Sequence, residues 1–199
     1  DWIVKNDADI KCFQEFYHKD SSEMFSTLDL ISENGEYDYY FSSKYTGWED
    51  ADFGIVIFSR FPIVNSGEVI FKEGSVNRAA FADIIVQKDT IRFINVHLQS
   101  MSLGSNNPLK NETLESTKQD LKTLYKKFTK GLIDRSFQAE IIMELIHQSP
   151  YKVILVGDFN QTPYSFVYNS FKNVMNNAFE KAGNGFGVTY SGNTLFFLR

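Results

Sequence analysis

Residues 151–163 read Tyr-Lys-Val-Ile-Leu-Val-Gly-Asp-Phe-Asn-Gln-Thr-Pro. Val153 to Val156 is an unbroken apolar run rich in β-branched residues, the pattern of a core strand covered on both faces, and Gly157 marks its end. Asp158 and Asn160 lie two apart, so on extended backbone they leave the same side while Phe159 turns to the other. A carboxylate and a carboxamide converging at the carboxyl end of a strand suit a hard divalent cation, a water to be activated, or a phosphoryl oxygen to be held. An Asx turn that merely closes the strand uses the same residues, since Asp, Asn, Thr and Pro are ordinary turn formers. Spacing alone leaves both readings open.

Outward from this stretch, Ile10 to Phe13 reads as a strand with Gln14-Glu15 directly after it, so a second carboxylate stands at the end of an apolar segment. Phe53 to Phe58 is another apolar strand, and Pro62, which has no N–H for a ladder, fits a strand end. Arg78 to Val86 and Ile91 to Val96 are β-rich runs separated by the polar turn Gln87-Lys88-Asp89-Thr90, hence a hairpin. Asn95, His97 and Gln99 share one face of its second strand or its end, and Leu98 takes the other.

Gly157-Asp158-Phe159-Asn160 resembles a hallmark of the endonuclease/exonuclease/phosphatase superfamily, the metal-dependent phosphodiesterases and phosphatases that include DNase I and exonuclease III. Four specified residues fall together by chance in about one chain of this length in a thousand. Other stretches match in the family's order. Cys12-Phe13-Gln14-Glu15 resembles the Gln-Glu pair whose glutamate binds the essential divalent metal, which implies Glu15 as a metal ligand and Mg²⁺ or Mn²⁺ as cofactor. Gly54 to Ile63 is similar to the family's central strand and the turn after it. Asn95-Val96-His97-Leu98-Gln99-Ser100 resembles the Asn-x-His-Leu motif, whose histidine contacts the scissile phosphate; this implies His97 in that role, with Asn95 orienting it. Some members continue as His-Leu-Glu-Ser, which implies Ser100 as a substrate donor, although Gln99 replaces the glutamate here. Arg78 matches in position an arginine that some DNase-like members aim at the substrate phosphate, a task suited to a planar, permanently charged fork.

The resemblance implies an α/β fold, a four-layer α/β/β/α sandwich of two mainly antiparallel sheets with helices outside, and one domain spanning residues 1–199. It places the family's first strand before Asp1 and its terminal Asp and His segments after Arg199, so the chain is expected to be truncated at both ends and poorly active alone. The implied reaction is hydrolysis of a phosphate ester by in-line attack of water, with Asp158 orienting or deprotonating the water and Asn160 and His97 donating to the phosphoryl oxygens. A phosphodiester substrate of the nuclease kind is the first expectation. A phosphoinositide or sphingomyelin substrate is the alternative, and a non-catalytic domain that keeps the fold is a third. Strings such as Cys-Phe-Gln-Glu-Phe-Tyr resemble a group that carries membrane-spanning segments ahead of the catalytic domain, which implies a membrane tether before Asp1. A monomer is expected.

Composition is compatible with this. The 199 residues are 43% hydrophobic and 16% aromatic, enough for one sizeable core. Lys+Arg 20 against Asp+Glu 25 gives a net charge of -5, so no general basic field holds nucleic acid, while a bound cation can supply positive charge locally. The single cysteine, Cys12, excludes an internal disulfide. Residues 16–41 read as helix and surface loops with His18 solvated, and Tyr37 to Phe41 as a strand. Residues 114–128 and 135–147 read as two amphipathic helices, the second burying Phe137, Ile141, Ile142, Leu145 and Ile146, the first presenting Lys118, Lys122, Lys126 and Lys130 on one side. That lysine stripe is a candidate surface for an anionic polymer or membrane headgroups. Gly47 to Asp52 with Trp48 and Leu103 to Leu109 read as loops, and Thr189-Tyr190 and Leu195 to Leu198 as further strands.

Overall fold

A computed structural model describes residues 2–46, 51–100, 114–185, 187 and 189. The loops expected around Trp48 and at Leu103 to Leu109, and the strands expected near Tyr190 and at Leu195 to Leu198, lie outside these residues. The chain divides into two compact units, Asp1–Leu98 with Leu145–Phe159, and Gln99–Glu144 with Asn160–Arg199.

The first unit holds both sheets. After the short α1 (Trp2–Lys5) come β1 (Ile10–His18), α2 (Thr27–Gly35), β2 (Tyr39–Thr46), β3 (Asp52–Ser59), β4 (Ile63–Ile70), β5 (Arg78–Val86), β6 (Asp89–His97) and, beyond the long helix, β7 (Lys152–Asp158). One sheet is antiparallel in the order β1-β3-β2; the other runs β4-β5-β6-β7, antiparallel except for the parallel pair β6 and β7. Alternation along β3 explains how one strand serves two layers. Ile55 and Ile57 pack with Ala80, Ala82 and Ile84 between the sheets, whereas Val56 and Phe58 join Phe16, Leu28, Ile31 and Tyr37 under α2. Each buried isoleucine or phenylalanine stabilises by roughly 1.5–3 kcal/mol, and the small side chains of Ala80 and Ala82 let the sheets approach.

Several expectations change here. The apolar run of β7 is a strand, but among the described residues it forms the sheet's edge, with Ile154 40% exposed rather than covered on both faces. β1 does not stop at Phe13; it continues to His18 through a bulge, so Glu15 stands within a strand and not after one. His18 is therefore no loop residue: it is buried, its Nδ1 accepts from the Leu28 N–H at 3.3 Å and its Nε2 lies 2.6 Å from Asp20 Oδ1. β4 was hidden by Asn65-Ser66-Gly67-Glu68, which reads as a turn, although it pairs with β5 in a regular ladder beyond one bulge.

The second unit contains most of α3 (Leu114–His147), together with α4 (Phe166–Lys172) and α5 (Ala178–Ala182). The two helices expected at 114–128 and 135–147 are one continuous helix. Its buried face overlaps only in part the one the apolar periodicity selected: Ile142 is buried as expected and Leu145 and Ile146 are half-buried, but Phe137 and Ile141 are exposed, while Gly131, Arg135, Gln138 and Ala139 are buried. Lys122, Lys126 and Lys130 are exposed as expected. Among the described residues no helix is long and apolar enough to cross a membrane.

Candidate active site

The carboxyl ends of β6 and β7 and the amino end of β5 meet in one row. His97 is the register partner of Arg78 on one side and of Asp158 on the other, so the three side chains leave the same face of the sheet. Leu98 N–H donates to Asp158 O at 2.9 Å, extending the parallel pairing one residue past the strand. Gly157 allows this approach. Its φ of 138° is one that side-chain-bearing residues rarely adopt, and a Cβ there would lie 2.0 Å from Val96 O. His97 is 3% exposed; its Nε2 lies 3.7 Å from Glu15 Oε1, and its Nδ1 is buried without a hydrogen-bond partner.

Glu15 reaches His97 because of the bulge. In the β1–β3 register Phe13 pairs with Val56 and Phe16 with Gly54, so Gln14 and Glu15 together oppose Ile55. Two residues against one is a β-bulge, and Glu15 absorbs the distortion with φ of 51°. A left-handed residue with a side chain costs about 1–2 kcal/mol. What offsets that cost is Asn95, fully buried on β6. Its Nδ2 donates to Phe13 O at 2.9 Å and Val56 O at 3.2 Å, and its Oδ1 accepts from Gln14 Nε2 at 2.6 Å. Gln14 and Asn95 thus tie the two sheets together at the bulge and turn the Glu15 carboxylate, 78% exposed, toward solvent.

The remaining expected residues are placed as follows. Asp158 is exposed at the end of β7. Asn160 opens the second segment of the other unit with φ of 48°. Ser100, also in that unit, is exposed, and its carbonyl accepts from Gln99 Nε2 at 3.4 Å. Arg78 is buried; it donates to Ser43 Oγ and Ser75 O, each at 3.1 Å, and lies 3.7 Å from Glu68 Oε2. Burial pulls its pKa below the ordinary arginine value, with Glu68 opposing. Both ends of the fork are spent on protein, so in this conformation Arg78 braces β5 against β2 instead of reaching for a substrate.

Sequence reasoning passed over Gln14 and Asn77 as working residues. Asn77 is buried and donates to Leu98 O at 3.0 Å, holding the segment that leaves β6. The signal for Gln14 was its place beside Glu15; for Asn77 there was none, because its partner is a backbone carbonyl from another strand.

A profile of the Endonuclease/Exonuclease/phosphatase family matches residues 1–198. The chain belongs to that family. Among solved structures, this family member is similar to SmcL, at 15% identity and a TM-score of 0.56 over 85% of this chain and 56% of that one. It is also similar to a β-hairpin deletion mutant of beta toxin from Staphylococcus aureus, at 17% identity and 0.55 over 86% and 60%. A third is sphingomyelinase C from Streptomyces griseocarneus, at 17% and 0.52 over 83% and 56%. At such identities the likeness is one of fold, and it is the DNase I-like α/β fold expected from the motifs. The chain spans less than two thirds of the length of these structures. No curated protein sequence matches it.

Among the described residues no group of three or more His, Cys, Asp or Glu gathers as a metal cluster. The residues at hand nonetheless fit the divalent cation typical of the family. Glu15 presents an open carboxylate on the bulge, and Asp158 ends the neighbouring row with another. Oxygen donors of this kind select Mg²⁺ or Mn²⁺ over softer metals.

Proposed function

We propose that the protein is a divalent-metal-dependent phosphodiester hydrolase. The observation that carries this reading is the Glu15–His97 approach at 3.7 Å, made from a bulge that Gln14 and Asn95 hold in place. A scaffold has no use for a strained glutamate aimed at a buried histidine.

In this reading Glu15 holds the cation, which when bound supplies a Lewis acid that polarises a nonbridging phosphoryl oxygen and neutralises the leaving oxygen. The chain's own residues do the rest. Asp158 accepts a hydrogen bond from the attacking water and takes its proton as the new P–O bond forms in line with the one that breaks, a role worth about 10² to 10⁴ in rate. His97 donates from Nε2, the nitrogen on the side of Glu15, to the charge growing on the phosphoryl oxygens. Asn160 is the second donor on the strength of its motif alone, through its carboxamide. Ser100 remains a further substrate donor on the strength of its motif alone.

The test is a panel of duplex DNA, single-stranded RNA, a phosphoinositide and sphingomyelin, with Mg²⁺, Mn²⁺ or EDTA, run with Asn160→Ala alongside. Cleavage that needs metal and is lost in the variant supports the centre and names the substrate class. The lipid arms belong in the panel because a sphingomyelinase C shares the fold. Absence of any Glu15-dependent Mg²⁺ or Mn²⁺ binding would sink the hydrolase reading in favour of a non-catalytic domain.

A further inference from the structure

Arg135 sits in the middle of α3 and is 1% exposed, although arginine is among the residues least often buried. Burial lowers its pKa, and that effect outweighs the neighbouring charge of Asp134. Desolvating a guanidinium is costly unless its donors are used. They are used on two segments. Nη1 donates to Gln99 O at 2.8 Å. The Gln161 amide is satisfied when its oxygen faces Arg135, accepting from Nε and from Nη2 at 3.3 Å, while its nitrogen donates to Ser165 Oγ at 3.2 Å. One helical turn away from this contact, Gln138 Oε1 accepts from the Gln99 N–H at 2.9 Å, so α3 engages both the backbone donor and the backbone acceptor of Gln99.

A second observation points the same way. Gly131, one turn before Arg135, is buried inside a helix, where glycine is about 1 kcal/mol worse than alanine. A Cβ at Gly131 would lie 3.1 Å from Arg135 Nη1 and 3.6 Å from Nη2. The glycine clears the space that the guanidinium fills.

Gln99 is two residues after His97 and Gln161 is one after Asn160. We propose that Arg135 is a positioning residue: one buried fork locks the segments at Gln99 and Gln161 side by side, and thereby fixes the backbone that carries Asn160. The planar fork is the feature that matters, because a lysine ammonium on its single point charge cannot bond both segments in one plane. Arg135 touches no reacting atom; it acts through Gln99 and Gln161.

The kinetic half of the test rests on the hydrolase reading, so the experiment carries a second readout that does not. Arg135→Lys, Arg135→Met and Gly131→Ala are compared with the unaltered protein by amide hydrogen exchange and by steady-state kinetics corrected for the folded fraction. In both Arg135 variants exchange at Gln99 and at residues 160–162 is expected to rise at least about tenfold, while amides of the β5–β6 ladder stay protected. With a cleaved substrate in hand, kcat per folded molecule falls about 10- to 100-fold with KM within about threefold, as expected for misplacement of a group that acts in the transition state. Gly131→Ala gives a smaller loss of kcat without a fall in thermal midpoint. Unchanged exchange at Gln99 and 160–162 in Arg135→Met overturns the proposal. So does a loss of activity that only tracks the loss of folded protein. If the unaltered protein cleaves nothing, the exchange result alone decides the clamp, and the hydrolase reading falls separately, if Mg²⁺ or Mn²⁺ binding shows no dependence on Glu15.

Discussion

His97 and Glu15 face each other across the two sheets, yet they are held in opposite ways. His97 is 3% exposed in an unbroken ladder, flanked in register by Arg78 and Asp158, so its position is over-determined by backbone hydrogen bonds. Glu15 is 78% exposed on a bulge with left-handed φ, and its position rests on the side-chain link between Gln14 and Asn95. The difference separates two jobs. The end that would meet the phosphate is preorganised by the sheet, whereas the end that would meet a cation is adjustable and depends on a few replaceable side chains. Perturbing the first should alter rate, and perturbing the second should alter affinity for metal.

The largest expected effect breaks the rigid end. His97→Ala should lower kcat about 10²- to 10³-fold while the Mg²⁺ concentration for half-maximal activity stays within about twofold; a large shift in that concentration would show that the two jobs are not separate. Next comes the tie between the ends. Asn95→Ala removes the partner of Gln14 Nε2 and the bonds to Phe13 O and Val56 O, and should cost about 2–3 kcal/mol, read as a fall in thermal midpoint of roughly 5–10 °C. An unaltered midpoint would mean that the bulge holds itself. Gln14→Ala leaves the ladder intact and loosens only the glutamate. Metal affinity by titration calorimetry should weaken about 10- to 100-fold, with kcat at saturating metal almost preserved.

The effect smallest at neutral pH concerns the same strand away from the bulge. Burial pushes the Cys12 thiol up to about 12, against an ordinary value of 9.0. The folded protein therefore keeps the thiol protonated where the unfolded chain ionises, so this stability is complete below about pH 9 and is lost as pH rises toward 12. Denaturant titrations of Cys12→Ala should remove a slope of roughly 1.4 kcal/mol per pH unit from that window. Equal slopes in the two proteins would place the thiol in contact with water.

The motif-bearing strands were legible because their chemistry is local. Ile10 to Phe13, Phe53 to Phe58 and the hairpin of β5 and β6 are apolar runs bounded by turn residues, and all are strands. What failed was set by distant partners. The bulge at Gln14-Glu15 depends on Asn95, more than eighty residues away in sequence, and no periodicity in β1 announces it. In α3 the apolar face was chosen over the polar one, but Arg135 and Gln138 are buried because Gln99 satisfies them. Gly131 lies in the gap left between the two expected helices, and the space it leaves is filled by the Arg135 side chain within one continuous helix. β7 was read as covered on both faces because its composition is apolar, yet Ile154 is 40% exposed, and composition does not reveal what covers a strand.

The parallel pairing of β6 with β7 also sets when the site comes into being. The β5–β6 hairpin is joined by a tight turn and can form early, whereas β7 arrives only after the chain has closed the long crossover through α3. Closing a loop of that length costs roughly 3–4 kcal/mol of chain entropy beyond the constant term, and such non-local contacts form slowly. A nascent chain therefore holds His97 well before it holds Asp158 beside it. The apposition of His97 with Asp158 therefore reports that the topology has closed.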